Sequence, residues 1–219
     1  MNNEEHLDKT QEFCYNVIVK NPELLLIGGK PFSGKSSISR AFVDGNIDVV
    51  VRHLSMGDRL RAINKGEVES RYSNDLATDT SDLKAHKPIA DKEKPIGVFE
   101  EFIEQEPADL YILDAFPRYP DRLDAFRESI QGMGARILAV CLVDVPDELS
   151  IERSKGRAQR YDDVEEDEVF VRKRLDDFRA GAMPVLAELS RDYPYYVLDG
   201  TKPITDNVAA LDRIYQENK

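Results

Sequence analysis

A glycine-rich loop between an apolar run and a helix-like segment constrains this chain more than any other stretch. The apolar residues 24–27 come first, the sequence GKPFSGKS follows at 29–36, and residues 38–43 have a helical pattern. Two glycines separated by four residues and followed by Lys-Ser have the spacing of a phosphate-binding loop, which connects a strand to a helix. The sequence therefore predicts a strand, a P-loop and a helix in this order.

The residue types in this loop suit the binding of phosphate groups. Gly34 allows backbone N–H groups to point into one concavity, and the N-terminus of the following helix adds the positive end of its dipole. Lys35 supplies a charge for the outer phosphates, and the hydroxyl of Ser36 can reach a magnesium ion. The sequence predicts a nucleoside triphosphate site built from Gly29, Lys30, Pro31, Phe32, Ser33, Gly34, Lys35, Ser36 and Ser37.

Composition and charge narrow the range of partners. A chain of 219 residues with 41% hydrophobic residues has enough apolar material for one domain with insertions. A formal net charge of −12 argues against nucleic acid or an anionic membrane as the main partner, because both bind basic surfaces. The acidic N-terminus is unlike a secretory signal, and the apolar run 137–143 is too short to span a bilayer. We therefore expect a soluble, cytoplasmic protein.

Strand-like and helix-like segments alternate along the chain. Apolar runs predict strands at 24–27, 47–51, 110–113, 137–143 and 195–198, and an amphipathic helix is expected at 5–20. This alternation predicts an α/β fold, namely a P-loop three-layer fold with a five-stranded parallel sheet covered on both faces. Residues 64–95 are polar and read as an inserted subdomain. Cys14 and Cys141 lack metal or redox spacing, and Cys141 is expected in the core.

Several further motifs follow the P-loop in a fixed order. They are HLSMGDRLRA at 53–62, LDAFPR at 113–118, DVPDEL at 144–149 with ERSKGR at 152–157, RYDD at 160–163 with RKRL at 172–175, and LDGTKPI at 198–204. Together with the P-loop, these segments resemble the adenylate kinase family of nucleoside monophosphate kinases. The resemblance implies reversible, Mg²⁺-dependent transfer of the γ-phosphoryl group of ATP to a nucleoside monophosphate, with AMP as the favoured acceptor.

The resemblance also implies a domain layout. Residues 1–21 would be an N-terminal helical extension and 22–219 the kinase core. Within the core, an acceptor-binding insert would span about 55–90, and a short lid about 153–163. We expect a monomer whose partners are ATP and a nucleoside monophosphate.

By the same resemblance, particular residues acquire roles in phosphoryl transfer. Arginine suits this chemistry because it is always charged and can grip phosphate with two hydrogen bonds. The catalytic set would be Lys35, Asp114, Arg118, Arg157, Arg160 and Arg174, with Arg153 and Arg157 on the ATP side and Ser36 and Asp114 holding Mg²⁺, Asp114 through water. The monophosphate would contact Ser55, Met56, Gly57, Arg61, Lys87, Ile89, Arg118 and Arg122, while Asp162 and Asp163 would fix the lid.

Some positions depart from the family pattern. Phe32 and Ala115 stand where the family usually has glycine, and Ser36 replaces the glycine that follows the lysine. The general P-loop tolerates Phe32 and Ser36, so triphosphate binding is expected to persist, although the loop geometry can differ. Only two residues separate Arg157 from Arg160, which leaves no room for a long lid or for its zinc cysteines, and no zinc is expected.

Two departures concern the acceptor base. Met56 stands where threonine is common, and Arg122 stands where adenylate kinases place a glutamine that reads adenine. Glutamine donates and accepts hydrogen bonds, whereas arginine only donates, which suits O6 and N7 of guanine or O4 of uracil and thymine. The acceptor could therefore be GMP, UMP or dTMP. Alternatively, Arg122 pairs with Asp121 or Asp124 and AMP remains the acceptor.

A non-catalytic reading belongs to a different class. Phe32 and the short lid motivate a nucleotide-binding regulatory protein that has lost transfer activity. The retained Lys35, Asp114 and arginines argue against this hypothesis. The motifs ending in Arg61 and Arg118 also disfavour a P-loop kinase of another small molecule.

Overall fold

The structure is a computed structural model that describes residues 21–73, 91, 93–161 and 168–219, with the backbone alone for 156–161. The predicted helix at 5–20, the acceptor-site residues Lys87 and Ile89, and the lid residues Asp162 and Asp163 lie outside the described residues. Among the described residues, no helix is both long enough and apolar enough to cross a membrane.

A five-stranded parallel sheet forms the centre of the described chain. Its strands are β1 (Glu23–Gly29), β2 (Val51–Ser55), β3 (Leu110–Asp114), β4 (Arg136–Asp144) and β5 (Tyr195–Asp199). They lie in the order β2-β3-β1-β4-β5, and every neighbouring pair is parallel. The predicted α/β fold with a five-stranded parallel sheet is confirmed.

The predicted position of the second strand was wrong. We expected residues 47–51 to form it, but β2 begins at Val51, and Ile47 and Val50 are 92% and 48% exposed. The backbone N–H of Val50 donates to the carboxylate of Asp109 (2.8 Å) instead of to a neighbouring strand. Only the last residue of the apolar run therefore belongs to β2, although the carbonyl of Val50 already accepts a hydrogen bond from the N–H of Leu110 in β3 (3.2 Å).

Helices cover both faces of the sheet. They are α1 (Lys35–Gly45), α2 (Met56–Asn64), α3 (Lys94–Gln105), α4 (Leu123–Gly132), α5 (Asp147–Tyr161), α6 (Glu168–Asp177), α7 (Met183–Leu189) and α8 (Ile204–Asn218). A 3₁₀ turn (Pro120–Arg122) precedes α4, and a π-helical segment (Phe178–Ala182) joins α6 to α7. Helices α1 and α8 share one apolar cluster with the sheet, whereas α2, α3, α4 and α7 share the other.

Successive residues of the central strands supply these two clusters. In β1, Leu24 and Leu26 belong to the cluster under α3 and α4, whereas Leu25 and Ile27 belong to the cluster under α1 and α8. Strands buried on both faces read as continuous apolar runs, which is why the sequence displayed them clearly. Cys141 is fully buried as expected, and burial raises the pKa of its thiol to about 12.

The strand order brings two distant motifs together. Strand β1 lies between β3 and β4, so the P-loop that follows β1 emerges beside the end of β3. Ile27 pairs with Asp114, and the N–H of Ala115 donates to the carbonyl of Ile27 (2.9 Å). In open parallel sheets, ligands bind at the carboxyl ends of the strands where the order reverses. This edge therefore positions the candidate site.

Helix α3 holds the described part of the predicted acceptor-binding insert. Arg59 of α2 donates to Glu106 (2.9 Å) and Gln105 (2.6 Å) at the end of α3. Further along, the buried Glu101 accepts hydrogen bonds from the hydroxyl of Ser70 (2.6 Å) and the backbone of residue 71 (2.8 Å). Both contacts fasten the start of the insert to the core.

Two non-glycine residues near the site have a left-handed backbone. The φ angles of Phe32 and Ala115 are 58° and 54°, at two positions where the resemblance to adenylate kinases leads one to expect glycine. A left-handed conformation costs an L-residue roughly 1–2 kcal/mol, because Cβ approaches the following carbonyl oxygen. These backbone turns therefore persist although the glycines that would favour them are missing.

We expect Ala115→Gly to raise the free energy of unfolding by about 0.5–1 kcal/mol, because relief of the left-handed strain exceeds the added entropy of the unfolded chain. Denaturant titration measures this change. Gly132→Ala is the matched control, since Gly132 ends α4 outside the left-handed region with no described atom within 4 Å of an added Cβ. There alanine should be the more stable residue. A loss of stability in Ala115→Gly would contradict the strain argument.

Candidate active site

The P-loop curls tightly between β1 and α1. Gly34 has a φ of 95° and directly precedes α1, where its carbonyl accepts the first helical hydrogen bond from the N–H of Ile38 (3.0 Å). A Cβ added to Gly29 would lie 2.7 Å from the hydroxyl of Ser33 and 2.8 Å from the carbonyl of Val143. Both glycines are thus required by geometry, and the loop ends at a helix N-terminus suited to phosphate.

A buried carboxylate lies beside the start of α1. Asp114 ends β3 and is 3% exposed. The hydroxyl of Ser36 donates to its Oδ2, Nζ of Lys35 lies 4.0 Å from its Oδ1, and Nε2 of His53 lies 3.4 Å from its Oδ2. Burial raises the pKa of Asp114, but the charge of Lys35 and the hydrogen bonds from His53 and Ser36 lower it further, so the net shift is downward. The carboxylate is therefore ionised at neutral pH.

His53 is a site residue that the sequence analysis missed. The sequence around His53 contains no residue that marks it as part of a site. In the structure, β2 pairs with β3 so that Ser55 lies opposite Asp114, which brings His53 within reach of the carboxylate. The sequence did indicate that the motifs HLS and LD follow apolar strand residues. Only the structure shows that these two strands, β2 and β3, are neighbours in the sheet.

A single cavity gathers three cationic side chains from distant segments. Lys35 of α1, Arg118 after β3 and Arg174 of α6 all line it, together with backbone of the P-loop at Gly29 and Pro31. Its apolar wall comes from Phe178, Ala182, Leu186 and Leu189. A concave surface with several positive charges and low-dielectric walls attracts anions such as phosphate.

The side chain of Lys30, a predicted ATP-site residue, contacts the protein beside the P-loop. Nζ of Lys30 donates to the carbonyl of Val145 (2.6 Å) and lies 3.3 Å from Asp144 and 3.2 Å from Asp147. These contacts direct the Lys30 side chain toward the end of β4. The sequence analysis did not anticipate them, because charge alone does not show which anion a lysine meets.

Arg153 links the P-loop to the connection after β5. Its guanidinium donates to the carbonyl of Ser33 (3.2 Å) and to that of Gly200 (2.9 Å). The motif at 198–204 therefore lies beside the P-loop. Ser37, the last residue of the predicted ATP site, lies exposed in the first turn of α1.

The start of α2 carries the predicted acceptor residues. Ser55 ends β2. The carboxylate of Asp58 accepts hydrogen bonds from the side chain of Ser55 and from the guanidinium of Arg61. A Cβ on Gly57 would lie 3.4 Å from Arg61, so glycine leaves room for this guanidinium. Met56 is buried in the core cluster. Arg61 is half exposed and reaches Asp58 across one helical turn.

An aromatic ring organises the other acceptor residues. The guanidinium groups of Arg118 and Arg122 lie 5.8 Å and 5.1 Å from the centroid of the Tyr119 ring. Arg122 is only 6% exposed, and its Nε is 4.0 Å from a carboxylate oxygen of Asp121. A Cβ on Gly181 would meet the Tyr119 ring at 3.0 Å, so the ring packs directly on the π-helical segment. Arg122 is thus held beside Arg118 by burial and by Tyr119.

The predicted site residues Arg157 and Arg160 lie near the end of α5, where the structure describes only the backbone. Helix α5 continues without interruption from Asp147 to Tyr161, which places the backbones of Arg157 and Arg160 on its last turns. Their side chains lie outside the described part of the chain, as do Asp162 and Asp163.

The sheet order, the glycine loop and the cationic cavity define a P-loop nucleotide-binding protein. No protein-family model matches the chain. It is 28% identical over 191 residues to the adenylate kinase of Xanthomonas campestris pv. campestris (strain B100), covering 87% of this chain and 94% of that protein. It is also 28% identical over 196 residues to the adenylate kinase of Nautilia profundicola, covering 89% and 97%.

These similarities extend over almost nine tenths of the chain. They support membership of the adenylate kinase family, which the motifs predicted. The family consists of phosphotransferases of the nucleoside monophosphate kinase type.

The lowered pKa of Asp114 predicts a specific loss of stability in acid. A carboxylate with a lowered folded-state pKa stabilises the fold fully above its ordinary pKa of about 3.9, and this contribution is lost as the pH falls through the folded-state value. The difference in unfolding free energy between wild type and Asp114→Asn should therefore shrink as the pH is lowered from about 7 to about 3. Denaturant titrations across this range measure it.

Asp124→Asn supplies the control, because the Asp124 side chain is 96% exposed. Its difference from wild type should change little across the same range. A difference for Asp114→Asn that stays constant or grows in acid would contradict the assignment of an ionised, internally stabilised carboxylate.

Proposed function

We propose that the protein is a Mg²⁺-dependent nucleoside monophosphate kinase that reversibly transfers the γ-phosphoryl group of ATP to a monophosphate. AMP is the acceptor that the family favours. The observation that carries this proposal is the cavity at the ends of β1 and β3, where Lys35, Arg118 and Arg174 meet beside the ionised Asp114. Phosphoryl transfer mainly requires such a group of positioned charges, because positioning and charge neutralisation provide most of the catalysis.

The donor would occupy the P-loop side of the cavity. Backbone N–H groups between Gly29 and Lys35 and the charge of Lys35 would hold its outer phosphates. Arg153 supports this assignment, since it spans the P-loop at Ser33 and the 198–204 motif at Gly200. In the proposal it flanks the base of the donor.

Asp114 and Ser36 have the chemistry that Mg²⁺ requires. Mg²⁺ prefers hard oxygen ligands, is held by one or two carboxylates together with substrate phosphates, and keeps several waters. The buried, ionised Asp114 and the hydroxyl of Ser36 lie side by side at the start of α1. When bound, the ion would supply positive charge to the bridging phosphate oxygens.

The arginines would carry the transfer itself. Arg118 lines the cavity together with Lys35, and the Arg61 side chain on α2 is 42% exposed. In the proposal, both arginines hold the acceptor phosphate after Arg61 exchanges Asp58 for it. Arg174, together with Arg157 and Arg160, would surround the transferring group. The acceptor is already an ionised phosphate, so no further general base is needed. Closure of the insert (55–90) and the short lid (153–163) would exclude water.

A second acceptor class is favoured by the position of Arg122. Its guanidinium is buried against Tyr119, next to Arg118, instead of extending into solvent as a surface charge would. A donor-only side chain at this place suits an oxo-base monophosphate, namely GMP, UMP or dTMP. Nε of Arg122 also lies 4.0 Å from a carboxylate oxygen of Asp121. If Arg122 pairs with Asp121 instead of reading the base, AMP remains an acceptor.

Product formation from a panel of monophosphates tests the proposal. The purified full chain is incubated with Mg²⁺, ATP and one of AMP, GMP, CMP, UMP or dTMP, and diphosphate is quantified. We expect diphosphate with at least one acceptor and almost none with Lys35→Met, which removes the charge on the phosphates. ATP binding without turnover on any acceptor would contradict the proposal and favour the regulatory hypothesis.

Arg122→Gln should shift the acceptor preference toward AMP. Exchanging a donor-only side chain for an amide changes base discrimination by about 5- to 150-fold, measured as the ratio of kcat/KM for AMP to that for the preferred oxo-base acceptor. Arg127→Gln is the matched control, because Arg127 lies on α4 and forms an ion pair with Asp192 away from the proposed acceptor site. Wild-type activity on AMP alone, unchanged in Arg122→Gln, would remove Arg122 from the specificity site.

A further inference from the structure

The P-loop carries an aromatic side chain on a strained backbone. Phe32 has a φ of 58°, in the left-handed region that bulky residues rarely occupy. Such conformations persist only where the surrounding structure holds them, and they concentrate at functional sites. The contacts of the Phe32 ring therefore show what the strain supports.

The ring extends from the loop to α5, which contains most of the predicted lid, and to α6. It packs against the small apolar cluster formed by Ile151 of α5 and by Val171 and Leu175 of α6. All three are buried, whereas Phe32 itself is partly exposed. The P-loop and α6 are thereby joined through one side chain.

The same ring lies under a guanidinium of the cavity. Cζ of Arg174 is 5.2 Å from the centroid of Phe32, within the range of a cation–π interaction. Arg174 precedes Leu175 on α6 and also lines the cavity with Lys35 and Arg118. The ring thus contacts the cation that the proposed function places beside the transferring phosphoryl group.

A separate ionic network fixes the loop relative to the same part of the chain. Asp147, in the first turn of α5, contacts Lys30 of the P-loop at 3.2 Å and accepts a hydrogen bond from Arg179 of the π-helical segment. Arg179 also contacts Asp176 at the end of α6 (2.8 Å). Because this network does not involve Phe32, the loop retains an anchor when the ring is changed.

We propose that Phe32 is a positioning residue whose ring holds the guanidinium of Arg174 over the phosphate cavity before the nucleotides bind. This inference rests on the proposed function. A long arginine side chain loses rotamer freedom when it becomes ordered, and a ring that orders it in advance removes this cost from the transfer step. Preorganised charge is effective because it needs no rearrangement during the reaction.

The test compares Phe32→Leu with Phe32→Tyr. Leucine keeps the apolar contacts and the left-handed strain but removes the aromatic face, whereas tyrosine keeps the face. With ATP and the preferred monophosphate, Phe32→Leu should lower kcat by about 2- to 30-fold while KM for ATP changes less than about twofold. Phe32→Tyr should stay within about twofold of wild type, since its ring offers a similar cation–π partner.

A double-mutant cycle distinguishes positioning from a general structural role. If Phe32 acts through Arg174, then Phe32→Leu should have no further effect on kcat when it is introduced into Arg174→Ala. Melting temperatures check that each variant is folded. Phe32→Met, with a flexible side chain of similar size, serves the same comparison if Phe32→Leu does not fold.

The outcomes separate the inference from the proposed function. A wild-type kcat in Phe32→Leu, or a loss that persists in the Arg174→Ala background, overturns the positioning role while the kinase activity stands. An inactive wild type overturns the proposed function, and the positioning role with it.

Discussion

The arrangement of the site depends on the contact between the start of α1 and the buried carboxylate of Asp114. Lys35 and Ser36 follow the P-loop, and Asp114 ends a strand 78 residues after Ser36. Parallel pairing of β1 with β3 is what brings them together. An ionised carboxylate in the protein interior requires compensating partners, and Lys35, Ser36 and His53 supply them. The sheet order therefore determines the electrostatics of the cavity.

Aromatic rings contact the arginines that line the cavity. Phe32 lies under Arg174, and Tyr119 lies beside Arg118 and Arg122. Phosphate-binding arginines in a cavity repel one another, and ring faces provide a neutral surface that stabilises each cation without competing with an anionic ligand. An acidic partner would neutralise the same charge, as Asp58 does for Arg61. In the proposed function, the first kind of contact preorders an arginine, whereas the second requires Arg61 to exchange Asp58 for its ligand.

Most of the fold could be predicted because buried parallel strands are continuous apolar runs between helical segments. The second strand was displaced because apolar residues such as Ile47 also occur in an exposed connection, and hydropathy alone does not distinguish the two. The role of His53 was missed because its partner lies 61 residues away in sequence. The contacts of the Lys30 side chain were missed for a similar reason, since its acidic neighbour Asp144, the last residue of β4, comes more than a hundred residues later.

The sequence by itself determined the fold class, the P-loop and the resemblance to adenylate kinases, because these follow from local spacing and from the order of motifs along the chain. Gly29, Gly34 and Lys35 are recognisable without coordinates, since their roles depend on backbone geometry within a few residues. Only the tertiary structure decided which charges meet which partners and where the Phe32 ring lies. Those contacts join segments that are distant in sequence, and the register and packing that bring them together arise only when the sheet and its helices assemble.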